Sequence, residues 1–182
     1  MNAYRQRLSI LFTLALAMVL FVAGHANAGD GFTHTGSAMR VKKIAFISIK
    51  VYSIRHDMKE RPPQKSKQAV IAMETDKKFT WKMMRDVPSE KIQAALREAF
   101  QMNGYGDGGK INMFVNAFNQ KEVKEHSAVQ IRYNAQAKAT TIWVQNGTTV
   151  TIPGADFMHA VWSIWFGRID PPSIGDQLIR KL

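Results

Sequence analysis

The chain has 182 residues, no cysteine, and 25 lysines and arginines against 14 acidic residues, giving a formal charge of +11. Without cysteine, disulfides, thiolate metal sites and cysteine nucleophiles are excluded. The basic residues are scattered and form no aromatic-interleaved stripe, so nucleic acid is not an expected partner, whereas an acidic ligand or an anionic membrane surface is.

The chain opens with "MNAYRQR", basic and without acids, followed by the uncharged apolar run "LSILFTLALAMVLFVAG" and the small-x-small site Ala26-Asn27-Ala28. This pattern predicts a secretory signal peptide over residues 1–28, cleaved after Ala28, with retention as a membrane anchor the alternative. The protein is then expected to be exported, with the periplasm as its compartment. Residues 29–182 have the length of one domain.

From Arg40 to Ile54, "RVKKIAFISIKVYSI" is β-branched and alternating, which predicts a strand. "RHDMKERPPQKSK" is charged and carries Pro62-Pro63, so it reads as a loop. "QAVIAMET" and "KFTWKMMR" are two further strand candidates joined as a hairpin, the second alternating Phe79, Trp81 and Met83 with Thr80, Lys82 and Met84. In "RDVPSEKIQAALREAF" the period changes, because Ile92, Ala95, Leu96, Ala99 and Phe100 share one helix face. "NGYGDGG" supplies a glycine stop. A second amphipathic helix follows through Ile111, Phe114, Val115 and Phe118. "AVQIRY", "TTIWVQ" and "TTVTI" are strands, the last two linked through Asn146-Gly147, a strong hairpin signal. A helix begins after Pro153, and a short one closes the chain. Strands, then helices, then strands without βαβ alternation predict an α+β fold, a large antiparallel sheet with helices gathered on one face.

Few motifs carry chemistry. "GYGDGG" follows a helix and lacks the order of a phosphate loop. The histidines at 25, 34, 56, 126 and 159 show no ligand spacing, and no G-x-S-x-G elbow occurs, so neither a metal nor a cofactor is expected. Arg40, in "GSAMRVKK", follows a Gly-Ser turn and precedes the most apolar strand, where residue type alone favours an edge-strand surface arginine like Lys42 and Lys43. In "TIPGADFMHAVWSIWFG", Phe157, Ala160, Val161, Ile164 and Trp165 form one helical face that Met158, Trp162 and Phe166 widen. Such an arc serves either as core or as the wall of an apolar pocket.

Taken in order, "GSAMRVKK" with "KVY", "RDVPSEKIQAALREAF" and "TIPGADFMHAVWSIWFG" resemble the successive blocks of the chalcone isomerase-like family, in its bacterial exported branch, from about Gly36 to the C-terminus. The resemblance implies an open-faced β-sandwich, a large antiparallel sheet with a layer of helices on one face. The family includes plant enzymes that close chalcones to flavanones, plastid fatty-acid-binding members and non-catalytic relatives. It implies that Arg40 holds an anionic oxygen. The plant enzymes' threonine falls near "FIS", at Ile47 or Ser48; their helix tyrosine and asparagine are lacking in "PSEKIQAA"; a polar residue on the last helix corresponds to Ser163 or Ile164. A cation without its hydroxyl partners suits an anionic amphiphile, so the resemblance implies a non-catalytic protein that binds a small apolar acid such as a fatty acid. Arg40, Tyr52 and Ser48 would hold the carboxylate, and Trp162, Trp165 and Phe166 would line the tail. The alternatives are an intramolecular lyase of the chalcone isomerase type and a basic protein of the envelope surface. No residue is assigned a catalytic role.

Overall fold

Six strands form one antiparallel sheet in the order β1-β2-β3-β6-β7-β8, as described by a computed structural model over residues 30–182. The expected signal peptide, residues 1–28, lies outside the described residues. The strands are β1 (Thr33–Ile44), β2 (Ile47–Met58), β3 (Lys77–Met83), β6 (Ala128–Asn134), β7 (Ala139–Val144) and β8 (Thr149–Pro153). Two short strands, β4 (Val87–Pro88) and β5 (Glu122–Val123), pair separately. Helices α1 (Lys67–Ala72), α2 (Ser89–Met102), α3 (Gly108–Val115), α4 (Ala155–Phe166) and α5 (Ser173–Leu178) complete the α+β fold.

Residues directly opposite on neighbouring strands share a face, and three rows cross the sheet on the side of the helices. They are Ala38, Ile54, Trp81, Val129, Val144; Gly36, His56, Phe79, Ile131, Ile142; and Met58, Lys77, Tyr133, Thr140, Ile152. All are buried. The opposite face carries Arg55, Gln130, Arg132 and Trp143, all exposed, and no helix among the described residues covers it. A shallow groove of about 350 Å³ lies there, lined by Gln130, Arg132, Asn134, Thr141 and Trp143.

The aromatic segment is α4, which packs over the inner rows and against α1, α2 and α5. Eight of its twelve residues are buried, as expected of a helix covered on more than one side. Phe79 sits 5.0 Å from the Trp162 ring and 4.7 Å from Trp165, centroid to centroid. The aromatic bulk is therefore met by aromatic bulk from the centre of the sheet.

Two expectations need correction. "RVKKIAFISIKVYSI" is not one strand: it turns at Ala45-Phe46, and its second half continues through "RHDM" as β2, so that part of the expected loop is strand. "QAVIAMET" holds helix α1 instead of a strand. The Ser66 side chain accepts a hydrogen bond from the Ala69 N–H at its start, and Lys77 occupies its last carbonyls. These caps outweigh the strand preference of Val70 and Ile71.

Helix α5 is docked on β1 backbone to backbone. A Cβ at Gly36 would stand 2.2 Å from the Gln177 carbonyl oxygen and 2.7 Å from the Leu178 carbonyl carbon, neither of which can rotate away. Gly36→Ala is expected to lower stability by about 2 kcal/mol, the scale of a forced backbone shift. Urea unfolding checks this, and an unchanged midpoint would refute the close docking.

Candidate functional site

The register places Arg40 opposite Tyr52, and Tyr52 opposite Met83. This row lies at the rim of the inner face, next to the row of Ile54 and Trp81. Between Arg40↔Tyr52 and Val41↔Lys50 the strands lose step by one residue, Val51. A bulge of this kind bends the ribbon and re-aims the side chains beside it. Tyr52 thus shares the helix-facing side with Ile54, His56 and Met58.

Tyr52 packs beside Trp81 and Trp165. Its ring stacks on Trp81 at 4.8 Å and 11°, and Trp81 meets Trp165 edge to face at 5.3 Å. The Trp165 Nε1–H donates to the Tyr52 hydroxyl oxygen at 3.1 Å. The hydroxyl's own proton is therefore directed elsewhere. Burial pushes the Tyr52 phenol up, opposed by the Trp165 hydrogen bond and the nearby Arg40 charge, so it stays a neutral donor. The Trp81 Nε1–H is buried and has no hydrogen-bond partner among the described residues. Arg40, Tyr52 and Trp81 are thus neighbours at one rim of the core, and the Trp81 indole lacks a hydrogen-bond acceptor among the described residues.

The remaining sequence candidates divide. Trp162, Trp165 and Phe166 are almost wholly buried. Of these, Trp165 reaches the Tyr52 cluster, whereas Trp162 and Phe166 pack around His56 and Phe79 deeper in the core. Ser48 is exposed, opposite Lys43 near the end of the β1–β2 hairpin, and Ile47 stands beside it. Ser163 donates to the His159 carbonyl of its own helix at 2.8 Å.

A second polar chain, which the sequence did not disclose, runs through the core. Trp162 Nε1–H can only donate, and it lies 2.9 Å from His56 Nε2, so that nitrogen is the acceptor and Nδ1 carries the proton. Nδ1 lies 2.6 Å from Thr35 Oγ1, which donates onward to the Leu178 carbonyl at 2.7 Å. Thr35 reaches inward because it is the extra residue of a second step in register, between His34 and Gly36. Burial holds the His56 pKa well below the usual imidazole range, reinforced by Lys77 and His34. With each of these polar atoms paired, the chain joins β1, β2, α4 and α5 and leaves the imidazole no free nitrogen for proton transfer. Among the described residues no three His, Asp or Glu side chains converge as a metal site.

A family model for chalcone isomerase-like proteins matches residues 25–172. Among solved structures, the fold is similar to that of a fatty-acid binding protein from Arabidopsis thaliana, with a TM-score of 0.65 and 11% identity over 83% of this chain and 88% of that one. At that identity the likeness carries the fold alone. No curated protein matches the sequence. With the matched residues spanning most of its length and an open antiparallel sheet covered on one face by helices, the chain belongs to the chalcone isomerase-like family.

Proposed function

We propose that the protein is a non-catalytic binder of a fatty acid or a similar small apolar acid, exported from the cytoplasm. The carboxylate lies between Arg40 and Tyr52, and the chain enters beside Trp81 and Trp165. The observation that carries this reading is the pairing of Arg40 with Tyr52 at the rim of an aromatic core, next to Trp81, whose buried N–H has no partner among the described residues. The Arg40 charge, the Tyr52 hydroxyl proton and the unpartnered Trp81 N–H suit one anion, and an arginine and carboxylate form a strong charge-assisted pair. The likeness in fold to a plant fatty-acid binding protein supports the ligand class. Because Trp165 fills the space beside Tyr52, binding has to shift that ring, which exchanges one aromatic contact for the ligand's apolar chain.

The isomerase alternative would use the same arginine. It would also need hydroxyl donors where charge develops in the reaction, each commonly worth a hundredfold or more in rate. The positions matching the plant threonine, Ile47 and Ser48, stand exposed toward the hairpin end, and the first long helix offers neither tyrosine nor asparagine there.

Arg40→Ala is expected to weaken binding of a medium-chain fatty acid by about 2 kcal/mol, close to thirtyfold, as when one partner of a desolvated charge pair is removed. Lys91→Ala, an exposed charge on α2, should change affinity by less than about twofold. Calorimetric titration of both variants decides the matter. Equal small losses would mean that the scaffold is present without the site.

A further inference from the structure

Beyond the row of Arg40 and Tyr52 the β1–β2 ribbon leaves the sheet. β3 joins β2 at Tyr52, with one more bond from Met84 N–H to the Val51 carbonyl. Farther out, among the described residues, Val41 to Ile44 pair only with Ile47 to Lys50. The ribbon projects by roughly 15 Å at the usual strand rise. At its end, Phe46 is 104% exposed and Ile47 67%. They are the two most exposed of the large apolar side chains described, and they are adjacent.

The turn runs against the usual preferences. A tight two-residue hairpin favours Asn-Gly or Asp-Gly, which are polar and tolerate positive φ. Here the residues are Ala45, at φ 51°, and Phe46. A left-handed alanine followed by a bare phenylalanine is a choice that neither solubility nor backbone preference explains, and local rules are most often broken where function requires it. The flanks are equally specific. Lys42, Lys43 and Lys50 are exposed on the ribbon, and no acidic residue occurs between Asp30 and Asp57.

We infer that the β1–β2 hairpin is a membrane-docking element: Phe46 and Ile47 enter the apolar boundary of an anionic bilayer while Lys42, Lys43 and Lys50 meet its headgroups. Apolar side chains in an interfacial segment bury about 5–10 Å into the headgroup and acyl boundary, which the projection exceeds. The lysines then remain at the charged level, where each basic residue strengthens binding to anionic lipid. Charge complementarity selects the lipid surface over a second copy of this basic chain, whose lysines would repel. The inference is independent of the fatty-acid reading, although the docked ribbon carries Arg40 and Tyr52 at its root.

The absence of native cysteine permits a single-site test in the exported chain, residues 29–182, which lacks the apolar run of 8–24 that would bind vesicles by itself. Ile47→Cys, labelled with an environment-sensitive fluorophore, is mixed with vesicles of phosphatidylcholine containing about 30% phosphatidylglycerol or of phosphatidylcholine alone, both free of fatty acid and both carrying a nitroxide-lipid quencher. Thr151→Cys, on the open face of the sheet, is the reference label. The expected result is a blue shift and quenching at position 47 in anionic vesicles, with little change at 151. Adding Phe46→Asp should lower the quenched fraction about tenfold, by the loss of one buried aromatic side chain. Adding Lys43→Gln should lower it about fivefold at low salt, with a weaker effect at high salt. A label at 47 that stays in water with both vesicle types would overturn the proposal. So would a blue shift without vesicles that grows with protein concentration, since the occupant would then be a second copy. Failure here leaves fatty-acid affinity unaffected, and loss of that affinity in Arg40→Ala leaves this result standing.

Discussion

Trp162→Ala is expected to lower the stability of the fold by about 4 kcal/mol, within the range for truncating a large aromatic in a closed core. The side chain is fully buried. Its ring lies 5.0 Å from Phe79, 6.5 Å from Tyr133 and 5.0 Å beneath the Lys77 ammonium. Truncation would remove those contacts and also strip His56 Nε2 of its donor, leaving a buried acceptor unpaired at a further cost of about 1–3 kcal/mol. Partial collapse of the surrounding rings offsets part of the sum. Trp162→Phe separates the two effects, since it keeps most of the apolar area and loses only the N–H; it is expected to cost about 1–2 kcal/mol. Urea denaturation of the two variants measures both. A loss under about 1 kcal/mol for Trp162→Ala would mean that the indole lines an open cavity and is not core, and the tail of a ligand could then lie deeper than Trp165.

The large features of this fold were legible because their signals are local. Phe79, Trp81 and Met83 alternate, Ile92, Leu96 and Phe100 recur at helical spacing, and Asn146-Gly147 stands between two alternating runs; all of these became the expected elements. The errors fell where the deciding contact exists only in the folded sheet or the usual signal is missing. Helix α1 ends on the side chain of Lys77, only two residues past "QAVIAMET", but a lysine that turns inward to helix carbonyls is not what its residue type suggests. The hairpin at Ala45-Phe46 lacks glycine, asparagine and proline, so the run around it read as one continuous strand. His56 and Lys77 could have been found by extending the alternation, since Tyr52, Ile54, His56 and Met58 share a face, as do Lys77, Phe79, Trp81 and Met83. That Arg40 faces Tyr52 depends on the extra residue at Val51. A bulge shifts a register by one place without leaving a mark in composition or period, which is why the pairing became visible only in the folded sheet.

The buried lysine gives the second large effect. Lys77 is 0% exposed, and its ammonium donates to the carbonyls of Val70 at 2.6 Å, Ile71 at 3.1 Å and Met73 at 2.8 Å, the open end of α1. A cation there also suits the negative pole of the helix. Lys77→Met preserves the length of the side chain and removes its donors, so the carbonyls are left unpaired in the core and stability is expected to fall by about 3 kcal/mol near neutral pH. Burial lowers the Lys77 pKa to about 7 in the folded protein, with Glu74 opposing, against 10.5 for the free side chain. Above pH 7 the unfolded chain therefore holds a proton that the folded one has released, and stability rises with pH by up to about 1.4 kcal/mol per unit from this group. Below pH 7 the lysine is charged in both states and contributes no slope. Lys77→Met lacks the group, so its deficit relative to the parent protein should widen between pH 7 and 9 and stay level between pH 6 and 7. Urea midpoints at pH 6, 7.5 and 9 provide the comparison. Parallel curves would show that the three carbonyls hold the proton on Lys77 throughout, and that the ammonium is a permanent charge in the core.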